Sequence, residues 1–424
     1  MKDQSLMDAP NSQPREVRHS LRFLFADSTF FLIGFAFIDA STVLPAFLHT
    51  LTASSLVIGL IMAIKPTMLL IPQLWTAHYL RNHRFHKRYL MTIAMASRTA
   101  VLAFAVLLFF CGPNNRTIML IGFLVMYAVM WLSEGGVGVS WFDLVAKTIP
   151  ERLRGRLFGG TQVVGGIGAV FAGIVVGRIL SHSGPKYPTN YAILFLLAAI
   201  FIWSSLISLS FVREPEGAIE EDHGSFTDYL KTIFGMLAKH RELKHYLAVQ
   251  FLMAFFAMSF PFYILYAQKM AGISGATIGM LLAVQILGTI VWSTIVAFVN
   301  DHRSPKAAIV IACLAGLVAP TLAILVGKLP VWYYGIIFFA VGAMNATCTI
   351  GLTSFILEMA GPHERRTFVG LINTANAPTL IFPILGGLII QTISYRAVFM
   401  ITALALLAAL ILALTLKSPR RLRN

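Results

Sequence analysis

The sequence predicts an all-α integral membrane protein whose twelve transmembrane helices form two six-helix halves. Three observations predict this fold class. First, 57% of the 424 residues are hydrophobic and 12% are charged, with a mean hydropathy of +0.77. A soluble domain of this length could not carry such a composition without exposing apolar surface. Second, about twelve apolar runs are long enough to cross a bilayer. Third, several features of the first half of the chain recur in the second half.

The apolar runs are separated by connections that are too short to form a soluble domain. Each run has about 20 to 25 residues, which is the length of an α-helix that crosses the hydrocarbon core. Predicted spans 1 to 12 cover residues 21–44, 55–80, 88–110, 116–140, 156–180, 190–212, 243–267, 275–299, 306–327, 331–357, 365–391 and 395–416.

This pattern divides the chain into five segments. Residues 21–212 and 243–416 form the N-terminal and C-terminal six-helix halves, and residues 1–20 and 417–424 are cytoplasmic tails. Residues 213–242 are a cytoplasmic linker that is acidic at first and then has apolar residues at helical spacing. The spacing predicts an amphipathic helix, which lies either on the inner membrane surface or against the inner ends of neighbouring spans.

The cations are distributed along the chain as a membrane topology requires. The formal net charge is +15, but the cations lie between apolar runs and not on one basic module, so we expect no nucleic acid partner. About 25 of the 33 Lys and Arg residues fall in the two tails and in alternate loops, against about five in the opposite loops. This positive-inside bias predicts a multi-pass protein of the cell membrane, of the bacterial inner or plasma membrane type, with both termini in the cytoplasm.

The sequence contains no motif for a cofactor. The three cysteines are scattered at or inside the apolar runs, so they indicate neither a disulfide framework nor a metal site. The phosphate-binding motif G-x-x-x-x-G-K-[ST] does not occur, so we expect no ATPase activity from this chain. The prediction is therefore a non-enzymatic protein without cofactors.

A cation-rich loop occurs twice in the chain. Residues 140–160, SWFDLVAKTIPERLRGRLFGG, join spans 4 and 5, and a related run, TSFILEMAGPHERRTFVG, covers residues 353–370. Pro150 and Pro362 mark the same position in the two copies. Because each half has an even number of spans, the halves keep the same orientation and are related by a pseudo-two-fold axis along the membrane normal. Any substrate site is then expected between them, near the midplane.

A second loop motif connects the chain to a known family. The sequence AFVNDHRSPK after span 8, with Asp301 and Lys306, resembles the G-x-x-x-D-[RK]-x-G-[RK]-[RK] motif of the major facilitator superfamily (MFS) of secondary transporters. The corresponding stretch after span 2, AHYLRNHRFHKR, keeps the cations but lacks the aspartate and the glycines. The resemblance covers residues 20–416 and identifies no substrate subfamily. It implies the twelve-helix MFS fold, with spans 1, 4, 7 and 10 around a central cavity.

Polar side chains within the spans are the candidates for contact with a substrate or a proton. An ionisable group at mid-membrane costs several kcal/mol, so it needs a partner or a water-filled cavity. On span 4, Glu134 shares a stripe with aromatic residues, which suits a cationic or amphipathic ligand or a proton carrier. A structural ion pair with Arg98 or Lys65 is the alternative. Asp39 and Lys65 are within reach of each other on adjoining spans, as a gate or as a structural pair. The candidates are Glu134, Asp39, Lys65, Arg98, Tyr127, Trp131, Trp141, Tyr263, Asn345 and Asn373.

Charged residues at the inner ends of the spans are the candidates for an inner gate. The family resemblance implies that the two halves part and meet at this face, where charge pairs are suited to close the mouth of the cavity. The candidates are Asp143, Arg154, Arg156, Asp301, Lys306, Glu358, Arg365 and Arg366.

Together these features predict a monomeric transporter that moves a small solute across the lipid bilayer by alternating access. Efflux of an amphipathic or cationic compound is favoured over nutrient uptake, and Glu134 or Asp39 is the candidate carrier if protons drive transport. The alternatives are a non-transporting receptor or partner subunit and a membrane-embedded lipid-modifying protein. The last would need histidines and carboxylates at one depth, whereas His78, His83 and His86 crowd an inner loop without a carboxylate among them.

Overall fold

The computed structural model describes residues 15–81, 83–216, 241–325, 330–359 and 376–417, and most of these residues are helical. The predicted amphipathic helix of the linker falls largely outside the described residues. The helices are α1 (Arg15–Phe37), α2 (Val43–Leu51), α3 (Ser55–Arg81), α4 (Lys87–Phe110), α5 (Arg116–Thr148), α6 (Glu151–Ile179), α7 (Thr189–Ser210), α8 (Arg241–Met253), α9 (Phe256–Ser259), α10 (Phe262–Ala271), α11 (Gly275–His302), α12 (Pro305–Leu325), α13 (Val331–Met359), α14 (Phe382–Thr392) and α15 (Tyr395–Thr415), with a 3-10 turn (Ala377–Ile381) before α14.

The apolar helices have the lengths that a bilayer requires. Among the described residues, nine helices are long and apolar enough to cross a membrane, and the segment from α8 to α10, bent by 41°, is a tenth candidate. Shorter apolar stretches, Val331–Thr347 of α13 and Ala377–Thr392, fall in predicted spans 10 and 11. Every predicted span therefore contains helix, and the predicted all-α membrane fold is confirmed.

Two of the predicted spans are interrupted. α1 ends at Phe37 and α2 begins at Val43, so predicted span 1 is a pair of helices and not one continuous helix. Predicted span 7 is interrupted in a similar way between α8 and α10. In the first case Asp39 stabilises the break, because its Oδ1 accepts hydrogen bonds from the backbone amides of Ser41 (2.9 Å) and Thr42 (3.0 Å). An aspartate that binds the amides that follow it favours a turn over a continuing helix.

The helices pack in the same pattern in both halves of the chain. In the first half α4 packs against α5 and α7, α3 packs against α5, and α1 packs against α7. In the second half α12 packs against α13 and α15, α11 packs against α13, and α8 packs against α15. Each helix pair of the first half thus has an equivalent pair in the second half, six spans later in the chain. This repetition agrees with two halves related by a pseudo-two-fold axis.

The two halves touch closely where α6 meets α11 and where α3 meets α14. A Cβ atom placed on Gly279 of α11 would lie 2.2 Å from the backbone nitrogen of Gly177 on α6, and one on Gly59 of α3 would lie 2.3 Å from the carbonyl oxygen of Pro383. Only glycine permits these approaches. All four positions lie toward the end of the molecule that is opposite to the first residue of α1, and we call this the far end. The other end, where α1 begins and α15 finishes, is the termini end.

Candidate functional site

A cluster of charged and aromatic side chains lies halfway along the helices of the first half. Lys65 is near the middle of α3, Arg98 near the middle of α4, and Glu134 near the middle of α5. Phe31 and Phe35 of α1 and Trp131 of α5 complete this central cluster. Because these four helices are apolar overall, their charged side chains need partners within the bundle.

Arg98 and Glu134 form a buried ion pair at the heart of the central cluster. Arg98 Nη1 contacts Glu134 Oε1, and the two side chains are only 3% and 7% exposed. Ser97 Oγ donates a hydrogen bond to the same carboxylate oxygen (2.7 Å), and Arg98 Nη1 donates to Ser97 Oγ (2.6 Å). The guanidinium also lies over the ring of Phe31, 5.8 Å from its centroid. Arg98 and Lys65 were the two predicted ion-pair partners of Glu134, and in the structure the partner is Arg98.

Lys65 has a different environment, although it lies at a similar depth. Its Nζ is 4.5 Å from the centroid of the Trp131 ring, and no carboxylate among the described residues lies within 4 Å of it. A lysine at the centre of a span costs about 2.5–3.5 kcal/mol on insertion scales. A desolvated cation–π contact contributes about 2 kcal/mol, which leaves part of this cost without compensation. Lys65 is therefore the charge of the central cluster that is best placed to bind an anion.

The aromatic rings of the central cluster form a continuous surface between the two cations. The centroids of Phe31 and Phe35 are 4.5 Å apart, and those of Phe35 and Trp131 are 5.5 Å apart. Phe31 and Phe35 are half-buried, whereas Tyr127, whose ring meets Trp131 edge-on, is fully buried. Trp131 is also buried, at 8% exposure, so the accessible part of this aromatic surface is that of Phe31 and Phe35, and Tyr127 belongs to the packing behind it.

Asp39 forms no ion pair with Lys65 within 4 Å, although its charge acts on Lys65 at longer range. Its Oδ1 accepts hydrogen bonds from the hydroxyl groups of Ser41 (2.6 Å) and Thr42 (2.9 Å), in addition to their amides. Gln285 of α11 donates from Nε2 to Asp39 Oδ2 (3.4 Å) and accepts from Ser41 Oγ (2.5 Å). Asp39 therefore joins the two halves through Gln285, which lies six residues inside Gly279 on α11. Ser41 was missed in the sequence, although an Asp followed by Ser and Thr is a signal for such a turn.

Trp141 also lies apart from Glu134. The two residues share one face of α5 but are two turns apart, about 10 Å along the helix axis. The indole Nε1 of Trp141 donates a hydrogen bond to Asp27 Oδ2 (2.8 Å), and Ser205 Oγ donates to Asp27 Oδ1 (2.5 Å). This second polar group is buried and ties α1, α5 and α7 together nearer the termini end. Trp141 consequently supports the helix packing and does not line the central cluster.

The candidates from the second half lie in different environments. Tyr263 is buried, its hydroxyl accepts a hydrogen bond from Ser259 Oγ (3.0 Å), and its ring stacks on Phe399 with the centroids 5.0 Å apart. It is thus part of the packing between α10 and α15. Asn345 is half-buried near the middle of α13. Asn373 lies outside the described residues.

Asp143 belongs to a charged group at the termini end of the first half. Its Oδ2 contacts His86 Nδ1 and lies 3.1 Å from Lys147 Nζ. Glu214, which follows α7, accepts hydrogen bonds from the backbone amides of His86 (2.8 Å) and Lys87 (2.9 Å). These contacts join α5 to the loop before α4 and to the end of α7. No carboxylate lies near His86 in the sequence, because its partners Asp143 and Glu214 come from distant parts of the chain.

Two other gate candidates, Arg154 and Lys306, have contacts within their own halves. Arg154 donates from Nε to the carbonyl of Ile149 (3.0 Å) and from Nη2 to that of Ala146 (2.9 Å), which satisfies carbonyl groups at the end of α5. Lys306 Nζ donates to the carbonyl of Leu414 at the end of α15 (2.8 Å). Arg156 and Asp301 are exposed and Glu358 is half-buried, whereas Arg365 and Arg366 lie outside the described residues.

Two bundles of spans that repeat each other's packing, joined at the far end and carrying charged groups at mid-depth, define a two-half membrane transporter fold. The chain belongs to the Major Facilitator Superfamily, because the model of that family matches residues 28–378. This confirms the resemblance that the loop motifs predicted.

Solved transporter structures share this fold. A mutant of the nucleoside transporter NupG aligns with a TM-score of 0.69 at 14% identity, over 93% of this chain and 99% of that one. The human organic anion transporter MFSD10 aligns with a TM-score of 0.62 at 17% identity, over 95% and 100%. An auto-inhibited POT family peptide transporter aligns with a TM-score of 0.67 at 12% identity, over 93% and 96%. No curated protein sequence matches the chain. At these identities the similarity establishes the fold.

Proposed function

We propose that this protein is a secondary transporter that moves a small solute through the membrane by alternating access. The observation that carries the proposal is the joint at the far end. There the halves meet through glycine backbones and exchangeable hydrogen bonds, such as the one from Ser54 Oγ to Gln391 Oε1 (2.8 Å). Contacts of this kind can form and separate without unfolding either half. The central cluster lies between this joint and the termini end, as an alternating site requires.

The proposal includes an orientation. The positive-inside bias places both termini in the cytoplasm, so the closed far end faces outward and the central cluster is reached from the cytoplasm. The segments 21–212 and 243–416 then act as two rocking bodies in a multi-pass protein of the cell membrane that functions as a monomer. Residues 1–20, 213–242 and 417–424 are its cytoplasmic tails and linker. The proposal includes no enzymatic reaction, since members of this transporter family are not enzymes in general.

Proton coupling and efflux are the finer parts of this proposal. If protons drive transport, Glu134 is their carrier, because protonation of Glu134 removes its attraction for Arg98 and releases the guanidinium within the central cluster. Efflux remains favoured over uptake on the sequence alone. A cationic solute has less support than the sequence suggested, because Glu134 is neutralised by Arg98 and Lys65 adds a further positive charge.

Distance measurements at both ends of the molecule test alternating access without a known substrate. In a background without native cysteines, spin labels are attached at Arg152 and His302 for the termini end, and at Lys186 and Arg396 for the far end. All four residues are exposed, and each pair joins the two halves. In lipid nanodiscs we expect two distance populations per pair, which shift in opposite directions when pH is lowered or a panel of metabolites is added. A pair within the first half, Arg88 and Arg152, is the matched control and should not change.

A single unchanged distance at both ends, under all conditions, would contradict the transporter proposal. That outcome is the one expected of a receptor or partner subunit that uses the fold as a rigid scaffold.

A further inference from the structure

We propose that the transported solute is a small organic monoanion, whose carboxylate binds Lys65 and whose apolar part lies against Phe31, Phe35 and Trp131. The proposal deepens the transporter function and rests on it. It assigns to the central cluster a substrate class that differs from the cationic class expected from the sequence.

The central cluster carries one positive charge, that of Lys65, outside its ion pair. Arg98 and Glu134 neutralise each other in direct contact. Lys65 contacts the face of Trp131 and has no ion pair with a described residue. An ammonium group has three N–H donors, and a contact with one ring face leaves donors free for an oxygen ligand. A carboxylate is the group that satisfies both the charge and these donors.

Asp39 was the predicted ion-pair partner of Lys65, and its hydrogen bonds explain why the two side chains are not in contact. Four of these bonds come from the amides and hydroxyl groups of Ser41 and Thr42 to the single oxygen Oδ1. The second oxygen faces Gln285 of the other half. The carboxylate is thus held by the turn between α1 and α2 and by Gln285, and it acts on Lys65 only at longer range. A solute can supply the counter-charge that Asp39 does not bring into contact.

The aromatic surface determines the rest of the solute. The ring of Phe35 contacts those of Phe31 and Trp131, and the three rings lie between the two cations. Such faces favour an aromatic or aliphatic portion over a strongly hydrated one. Since one cation of the cluster is left without an ion pair among the described residues, a single carboxylate is matched, whereas a second would be buried without a partner.

Binding measurements on the purified full-length protein test the inference. The probes are benzoate, benzamide and benzylamine, which share a ring and differ in charge, together with a series of monocarboxylates from acetate to naphthoate. We expect one or more monocarboxylates to bind in titration calorimetry, and the amide and amine of the same skeleton to bind at least tenfold more weakly. Lys65→Gln should weaken carboxylate binding at least tenfold, and Lys65→Arg should retain most of it.

Lys269 provides a matched control for these variants. Its Nζ lies over another ring, that of Tyr395, 5.3 Å from the centroid, but it is exposed at the end of α10. Lys269→Gln should leave carboxylate binding unchanged. Thermal unfolding and elution as a single species show whether the Lys65 variants remain folded, and recovery of binding in Lys65→Arg separates loss of charge from loss of fold.

Two results would overturn the inference. One is preferential binding of the amine or the amide, and the other is the absence of binding by every carboxylate of the series. In either case, opposite movements of the two spin-labelled ends would still support a transporter, with a solute of another class. If the ends also fail to move, the transporter proposal itself fails.

Discussion

Arg98 and Glu134 place opposite charges in contact at a depth where either charge alone is costly. Removing one partner of a buried pair typically costs about 3–5 kcal/mol, because the other charge stays buried. Replacing both partners by apolar residues of similar volume is often close to neutral. The pair therefore adds little to the total stability. Its main effect is that substitution of one partner alone is strongly destabilising.

A double-mutant cycle can measure this coupling. Arg98→Met is expected to lower the free energy of unfolding by about 3–5 kcal/mol, because the carboxylate of Glu134 remains buried without its counter-charge. The double variant Arg98→Met/Glu134→Met should regain most of that loss. Denaturant unfolding of the purified protein in detergent gives the four free energies of the cycle. Losses that simply add in the double variant would show that the two charges do not interact.

The sequence could predict which residues lie at mid-depth but not which of them meet. Lys65, Arg98 and Glu134 were recognised because charged residues stand out within apolar runs. Whether Glu134 contacts Arg98 or Lys65 depends on the rotation of α3 and α4 about their axes, which glycine and proline contacts between helices decide. Asp39 and Lys65 were predicted to be within reach of each other because of their positions along adjoining spans. Asp39 instead turns to the amides that follow it, since local hydrogen bonds form at low entropic cost.

At the scale of helices, the crossing of α6 and α11 brings the backbones of the two halves into close contact. Gly173 and Gly177 of α6 face Gly279 of α11, and a Cβ atom on Gly279 would meet backbone atoms of both. Small residues of this kind let helix backbones approach closely within a membrane. The glycine-rich sequence of α6 is typical of close helix packing, but its partner could not be predicted, because α11 comes from the other half of the chain.

Gly279→Ala is expected to prevent full closure of the far end while leaving both halves folded. Its Cβ would lie 2.2 Å from the nitrogen of Gly177, and backbone atoms cannot move aside as a flexible side chain can. Overpacking of this kind costs about 1–3 kcal/mol, which corresponds to a shift of the equilibrium away from the closed state by roughly 5- to 150-fold. The spin-labelled pair at Lys186 and Arg396 measures the change as a longer distance at the far end.

Gly335→Ala is the matched control for this variant. A Cβ on Gly335 of α13 meets no atom within 4 Å, so it tests the general effect of alanine on a helix of the second half without a steric clash. We expect the far-end distances of this control to equal those of the unsubstituted protein. Equal distances in Gly279→Ala would show that the crossing does not close the far end.

The predicted helices agree with the structure where length and hydropathy define them, and differ where a span is interrupted. The predicted span of residues 21–44 includes the polar residues Asp39, Ser41 and Thr42, but the mean hydropathy of the whole run stays high and does not resolve the break. The break between α8 and α10 is likewise surrounded by Phe and Met residues. Interruptions of this type are tolerated within the protein interior, because side chains and neighbouring helices satisfy the freed backbone groups. Periodicity alone does not detect them.

For the whole molecule, the proposed orientation rests on the distribution of the cations and on the joint between the halves. About 25 of the 33 cations fall in the tails and alternate loops, on the side of the termini end. The glycine crossings and the hydrogen bond from Ser54 to Gln391 lie at the far end. If the termini are cytoplasmic, the described state is closed to the outside.

Labelling of single cysteines in intact cells tests this orientation. In a background without native cysteines, a cysteine at Asn114, exposed between α4 and α5 at the far end, should react with a membrane-impermeant maleimide from outside. A cysteine at Arg84, exposed between α3 and α4 at the termini end, should react only after the cells are permeabilised. The native Cys111 has to be removed because it is half-buried near Asn114 and could react itself.

The opposite labelling pattern would reverse the functional assignment and not only the topology. With Arg84 outside, the far end would face the cytoplasm, the closed joint would be the inner gate, and the central cluster would be reached from outside in the described state. The basic loops would then lie where the membrane potential and anionic lipids disfavour them. We therefore expect Asn114 to be labelled in intact cells and Arg84 to be protected, with equal labelling of both after permeabilisation as the check that each cysteine is reactive.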